Sequence, residues 1–129
     1  MFKLGSRSKA NLVGVHPDLR KVVELAIGLT AVDFVVTEGL RTAERQAQLL
    51  ASGASRTLKS RHLTGHAVDL AAIFEGKVSW RSNLYYELSH VMKNAASSLS
   101  IPLEWGGEIW MPGFFDGPHF QLPWDKYPI

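Results

Sequence analysis

Residues 60–74 read Ser60-Arg61-His62-Leu63-Thr64-Gly65-His66-Ala67-Val68-Asp69-Leu70-Ala71-Ala72-Ile73-Phe74, and two local structures compete for them. His62 and His66 have the i, i+4 spacing of a helical pair, which would make the segment a helix. Gly65 weakens a helix there, and Leu63 stands where the H-E-x-x-H helix has its glutamate. A turn at Thr64-Gly65 leading into a largely buried strand, HAVDLAAIF, fits better. In that strand His66 and Val68 point to one face while Ala67 and Asp69 point to the other. His66 and Asp69 are then poorly placed to share a ligand. His62, ahead of the turn, can meet Asp69.

Upstream, Leu19, Val22, Val23, Ala26 and Ile27 follow the spacing of one buried helical face. With Pro17 in the first turn and Asp18 complementing the dipole, a helix is expected at about 17–29. Residues 1–14 read as an irregular start. The β-branched and aromatic run DFVVTE predicts a strand over 33–38. Thr42 can cap a second helix whose Ala43, Ala47 and Leu50 are expected to face the core, with Gly53 as its stop. Residues 53–61 form a polar loop carrying Arg56, Lys59 and Arg61, and Glu75-Gly76-Lys77 looks like a turn. Leu84, Leu88, Val91, Met92, Ala95 and Leu99 mark a helix over about 83–100. Leu103–Trp105 and His119–Leu122 are candidate short strands. Helices mixed with non-adjacent strands predict an α+β fold, a small antiparallel sheet with helices packed against it.

The chain has 129 residues, the size of one domain, with 46% hydrophobic and 20% charged residues, as in ordinary globular proteins. It has no cysteine, which excludes disulfides, thiolate zinc sites and thiol nucleophiles and fits a cytosolic origin. A net charge of +2 is too small to predict nucleic-acid binding. No run of about 18 apolar residues suggests a membrane span, and the N-terminus has no apolar stretch of signal-peptide length.

Two segments concentrate metal-ligand types: the 60–69 stretch and Asp116-Gly117-Pro118-His119. A catalytic zinc site takes three protein ligands and leaves a fourth position for water, and His62, Asp69 and His119 would supply a His-Asp-His set. Zinc chemistry by itself leaves structural or exposed histidines as an equal reading, and His/Asp sets also bind other divalent ions.

Ser60-x-His62-x-x-Gly65-x-Ala67-x-Asp69 resembles the S-x-H-x-x-G-x-A-x-D signature of the zinc D-alanyl-D-alanine peptidase family. That family includes carboxypeptidases, dipeptidases and phage L-alanyl-D-glutamate endopeptidases. Asp116-x-x-His119 resembles its second, acidic-x-x-His motif. Glu104-Trp105-Gly106-Gly107 resembles its W-G-G segment, and Glu38-Gly39-Leu40-Arg41-Thr42 its G-x-R segment. The blocks run in family order over about 15–122.

The resemblance implies a zinc site at the sheet, with His62, Asp69 and His119 as ligands, Asp116 as general base and Arg41 beside the scissile carbonyl. Pro118 departs from a more flexible residue in front of the ligand. Ser60 and Trp105 are candidate substrate contacts, and Trp110, Phe114 and Phe115 are possible groove walls. Each has an ordinary alternative: a cap or ion pair for Arg41, a turn for Asp116, loop support for Ser60, core packing for the aromatic residues and a solvated loop for Arg56, Lys59 and Arg61. His66 is expected to support the ligands or pack, and His16 and His90 to be structural or exposed.

The function implied is a single-domain (1–129) zinc endopeptidase that cuts the L-Ala–D-Glu bond of peptidoglycan stem peptides, with no separate wall-binding domain. It would act as a phage or prophage endolysin and as a monomer. It would reside in the host cytoplasm before lysis and reach the periplasmic wall through a separate membrane-permeabilising protein. The alternatives are a D-Ala-D-Ala carboxypeptidase of the same fold and a non-catalytic, zinc-stabilised wall-binding module.

Overall fold

In the computed structural model the described residues are 1–55, 57 and 59–128; Arg56, one of the three loop cations, lies outside them. Val68, Leu70, Ala71 and Ala72 have no exposed surface, because the strand they belong to is covered on both faces and paired on both edges. This is β2, Ala67–Phe74, the turn-and-strand reading of the opening segment. The turn before it is a short 3-10 helix, Arg61–Thr64, capped by the Ser60 hydroxyl and ended by Gly65.

Gly65 is obligatory on two counts. Its φ is +75°, and a Cβ there would meet the Gly14 carbonyl oxygen at 2.2 Å, inside any van der Waals contact.

β1, Asp33–Glu38, lies antiparallel along one edge of β2. The other edge is shared by β5, His119–Gln121, and by the short β3, Lys77–Ser79. β4, Glu104–Trp105, pairs with β5. The order β1-β2-β5-β4 gives the expected small antiparallel sheet. Glu75 and Gly76 both have positive φ, as the two-residue turn of a twisted β2–β3 hairpin requires.

The main helices, α2 at Pro17–Leu29 and α4 at Ser82–Ser98, pack on each other. Their apolar faces, with those of the strands, join one buried cluster. The α4 stripe holds at Leu84, Leu88, Met92 and Ala95, while Leu99 is exposed. Among the described residues no helix is long and apolar enough to cross a membrane.

Two expectations are corrected. The N-terminal stretch is not irregular: Ser6–Asn11 forms a helix, α1, against β1. Ser8 Oγ accepts from Val36 N at 2.9 Å, and Asn11 Nδ2 donates to Val36 O at 2.8 Å. α1 is held by polar side chains satisfying a sheet edge, so it carries no amphipathic signal. The helix after β1, α3 at Ala43–Ala51, is capped by Thr42 as expected, but Ala43, Ala47 and Leu50 are exposed. Its buried residue is Gln46, whose amide is held by Arg41, Ser55 and Thr57.

Leu88→Ala should therefore cost about 2–5 kcal/mol in urea unfolding, and Leu50→Ala less than about 0.5 kcal/mol. Equal losses would contradict this placement of α3.

Candidate metal centre and its cavity

Sheet register assembles the centre. Asp69 on β2 lies directly opposite His119 on β5 and, on its other side, opposite Glu38 on β1. Side chains directly opposite in an antiparallel pair share a face, so Glu38, Asp69 and His119 form one row across three strands. The pairing is irregular between Val36 and Glu38. Without that bulge Thr37 would face Asp69; with it, a carboxylate does.

His62 comes from the 3-10 turn, clasped by the segment after β1. Arg41 N donates to His62 O at 2.9 Å, and His62 Nδ1 lies 2.8 Å from Gly39 O. A carbonyl only accepts, so Nδ1 carries the proton and Nε2 presents a lone pair. That Nε2 is 3.2 Å from Asp69 Oδ1, and His119 Nδ1 is 3.3 Å from the same oxygen.

The three side chains offer ligand atoms within 4.8 Å of one another. Zinc bonds of about 2.0–2.1 Å at a tetrahedral angle separate two ligand atoms by about 3.3 Å. Lone pairs facing a carboxylate oxygen at that distance repel unless a cation or protons lie between them. The donor set fits a divalent metal.

Around this group opens a cavity of about 750 Å³, lined also by Glu38, Arg41, Ser60 and Asp116. The guanidinium of Arg41 is fully committed at its ends: Nη1 to Gln46 Oε1 at 2.7 Å, Nη2 to Glu38 Oε1 at 2.5 Å and to Asp69 Oδ2 at 3.5 Å. Arg41 thus braces the Asp69 oxygen that does not face the histidines.

Asp116 is placed by a tight turn. Its carbonyl accepts from His119 N at 3.1 Å, and its N–H donates to Gly106 O at 3.0 Å. A Cβ at Gly106 would sit 2.4 Å from that Asp116 carbonyl oxygen, so the W-G-G segment lets the turn close. Trp105 is 3% exposed and lies outside the cavity wall. Its Nε1–H donates to Gly117 O at 2.7 Å, and its ring packs on Tyr86 and Phe115. Trp105 is expected from the sequence as a substrate contact; in the structure its buried indole holds the Asp116–His119 turn from behind. Trp110 and Phe114 do line the cavity, and Phe115 does not.

Ser60 lines the cavity, and its hydroxyl accepts from His62 N at 3.2 Å. His66 stays away from the centre, its ring beside those of His16 and Tyr127 and its Nδ1 2.7 Å from Thr64 Oγ1. His16 caps α2 by accepting from Asp18 N, and His90 is exposed. Arg61 is no solvated loop residue. It is 2% exposed, and its guanidinium donates to the carbonyls of Leu122, Pro123 and Tyr127.

Two contributors were passed over in the sequence. Gln121 Oε1 lies 2.8 Å from His119 Nε2, and Gln121 Nε2 donates to Glu104 Oε1 at 3.0 Å. The available signal was the His119-x-Gln121 spacing, since i and i+2 share a strand face. Gln46 had no signal, because its role depends on where α3 lies.

Burial alone would push the Asp69 carboxyl up, but the charges and hydrogen bonds of His62 and His119 prevail and hold it well below the usual carboxylate range. His119 is the reciprocal case. Burial lowers it, and its hydrogen bond to Asp69, the Asp69 charge, Gln121 and Asp116 raise it overall. Burial and the Asp69 charge push the Asp116 carboxyl up, against the pull of His119, His62 and Arg41.

A family model described as phage L-alanyl-D-glutamate peptidase matches residues 1–123. The L-alanyl-D-glutamate peptidase of Escherichia phage T5 is 33% identical over 135 residues, covering 94% of this chain and 98% of that protein. The protein of that name from Listeria phage A118 is 36% identical over 96 residues, 74% of this chain but 32% of its own length. The crystal structure of the Serratia marcescens L-Ala D-Glu endopeptidase ChiX superposes with a TM-score of 0.92 at 46% identity, covering 99% of this chain and 95% of that one.

The Asp69–His119 pair sets a pH window for the metal-free protein. Asp69, held low, stabilises the fold above about pH 3.9, a contribution lost as pH falls through its depressed folded value. His119, held high, stabilises it below about pH 6.5, a contribution lost as pH rises through its raised folded value. Wild type should exceed Asp69→Asn most between about pH 4 and 6.5. Urea unfolding near pH 5.5 and pH 9 should show that difference shrinking at the alkaline end.

Proposed function

This chain belongs to the phage L-alanyl-D-glutamate peptidase family, and from that membership we propose that it is a zinc endopeptidase cutting the L-Ala–D-Glu bond of peptidoglycan stem peptides, as a phage or prophage endolysin. The observation that carries the reading is the convergence of His62, Asp69 and His119 beside Asp116 in one cavity. A cysteine-free His₂Asp set suits zinc among the biological divalent metals. Bound there, zinc supplies Lewis-acid polarisation of the scissile carbonyl and acidifies a water.

The chain's own groups do the rest. Asp116 accepts a proton from the attacking water as the new C–O bond forms. Burial and the Asp69 charge push its carboxyl up, which makes it a stronger base, and it delivers that proton to the leaving amine nitrogen as the C–N bond breaks. The Arg41 guanidinium, immobilised by Glu38 and Gln46 at the cavity wall, puts a fixed positive charge near the negative charge growing on the carbonyl oxygen. Ser60 accepts from a backbone N–H, so its own proton is free to donate to a substrate carbonyl. Ile109, Trp110 and Phe114 give the cavity an apolar wall for the alanyl side, and Lys59 puts a positive charge at the cavity for the glutamyl carboxylate.

On this reading residues 1–129 act as one peptidase domain, as a monomer, first in the host cytoplasm and then on the periplasmic wall. A separate membrane-permeabilising protein would give access to the wall.

Purified peptidoglycan digested by the zinc-loaded protein should yield new D-Glu amino termini. Release of D-Ala would instead mark a carboxypeptidase, and wall binding without cleavage a non-catalytic module. Chelation should abolish lysis and added zinc restore it.

Asp116→Asn should keep stoichiometric zinc while turnover drops about 10²–10⁴-fold; near-normal turnover would remove Asp116 as the base. His119→Ala should lose both zinc and activity, and unchanged zinc content would refute its place as a ligand.

A further inference from the structure

We infer that Glu104 and Gln121 form a directional hydrogen-bond relay that fixes the tautomer of His119, leaving Nδ1 as the nitrogen available to a metal. The relay is a property of the folded chain; its consequence for metal affinity rests on the zinc reading above.

The direction follows from donor and acceptor chemistry alone. A glutamate carboxylate only accepts hydrogen bonds, so the Gln121 nitrogen must be the end facing Glu104, at 3.0 Å. That leaves Gln121 Oε1 facing His119 Nε2, at 2.8 Å. An amide oxygen also only accepts, so His119 Nε2 must carry the hydrogen. A neutral imidazole has one N–H, and Nδ1 is left with its lone pair toward the metal centre. Flipping the Gln121 amide would set its oxygen against the Glu104 carboxylate, two acceptors in contact with nothing to donate between them.

The relay has an opponent to overcome. Asp69 Oδ1 lies 3.3 Å from His119 Nδ1 and by itself would draw the imidazole proton to that nitrogen, where it would block ligation. Water does not settle the contest, because His119 and Gln121 are 4% and 5% exposed. His62 meets the same problem with a main-chain acceptor, Gly39 O, which no side-chain substitution can reverse. For His119 the choice is made by side chains, aligned by two periodicities. His119 and Gln121 are i and i+2 on β5, and Gln121 is the direct cross-strand partner of Glu104 on β4. Glu104 and Gln121 are thus positioning residues, two and one hydrogen bonds away from the ligand.

The test uses histidine-¹⁵N-labelled protein, metal-free and at a pH where the imidazoles are neutral, alongside zinc competition with a chromophoric chelator. Wild-type His119 should give a protonated Nε2 and an unprotonated Nδ1. Glu104→Ala should mix the tautomers and weaken zinc about 10–100-fold while the circular dichroism stays native. The double substitution Glu104→Gln with Gln121→Glu moves the charge but keeps every donor–acceptor direction. The new carboxylate at position 121 accepts from His119, and the new amide at position 104 donates to it. It should restore both the single tautomer and the zinc affinity. A wild-type Nδ1–H tautomer, or a Glu104→Ala protein unchanged in tautomer and zinc affinity, overturns the relay. Wild type that shows the expected tautomer yet binds no zinc would uphold the relay and sink the metal reading instead.

Discussion

The carboxylate of Asp69 is approached by two imidazoles and one guanidinium, and most of the molecule is arranged around holding those four groups together. Asp69 Oδ1 faces His62 and His119, and Oδ2 faces Arg41. Of these partners only His62 is close in the chain, seven residues away; His119 is 50 residues away. Antiparallel register supplies the coincidence. A one-residue slip of β2 against β5 would turn Asp69 toward the apolar core and break the row. The core prevents it, because Val68 and Leu70, with no exposed surface, occupy the opposite face and fix which residues point where.

Around that row the chain uses polar groups where a core would use apolar ones. Buried charge is tolerated only when paired or hydrogen-bonded, and here each is. Arg41 is spread over Glu38, Gln46 and Asp69. Arg61, next to His62 in sequence, gives its guanidinium to three carbonyls of residues 122–127 and stacks over Trp124. Tyr127 in turn donates to Asp18 at 2.8 Å, and its phenol is pushed up to about 12 by burial and that carboxylate. The His62-bearing turn, β5 and the start of α2 are thereby tied to one strap, residues 122–127. The same logic explains α3, whose inward residue is a glutamine that bonds Arg41, Ser55 and Thr57.

Much of this was legible in the residues. The α2 and β1 spans fell where periodicity and composition put them, since apolar spacing records which face is buried. The turn at Gly65 followed from the cost of glycine in a helix and the absence of a glutamate after His62. The three ligand types were visible because few side chains bind a metal without thiols. Less visible were elements whose reason for being is another element. α1 exists because an edge strand needs hydrogen-bond partners. Trp105 sits in a conspicuous motif yet faces away from the cavity, because its N–H is needed by the turn that carries Asp116.

The sequence by itself determined the kinds of chemistry available and the local conformations: which side chains can ligate, where glycine forces a turn, which faces are apolar. Tertiary structure alone decided which of those groups meet, which nitrogen of each histidine faces the centre, and that Glu38, Gln46, Glu104 and Gln121 stand behind them. The reason is that pairing register, a bulge and the direction of a hydrogen bond are relations between distant segments. No spacing along the chain encodes them until the strands are side by side.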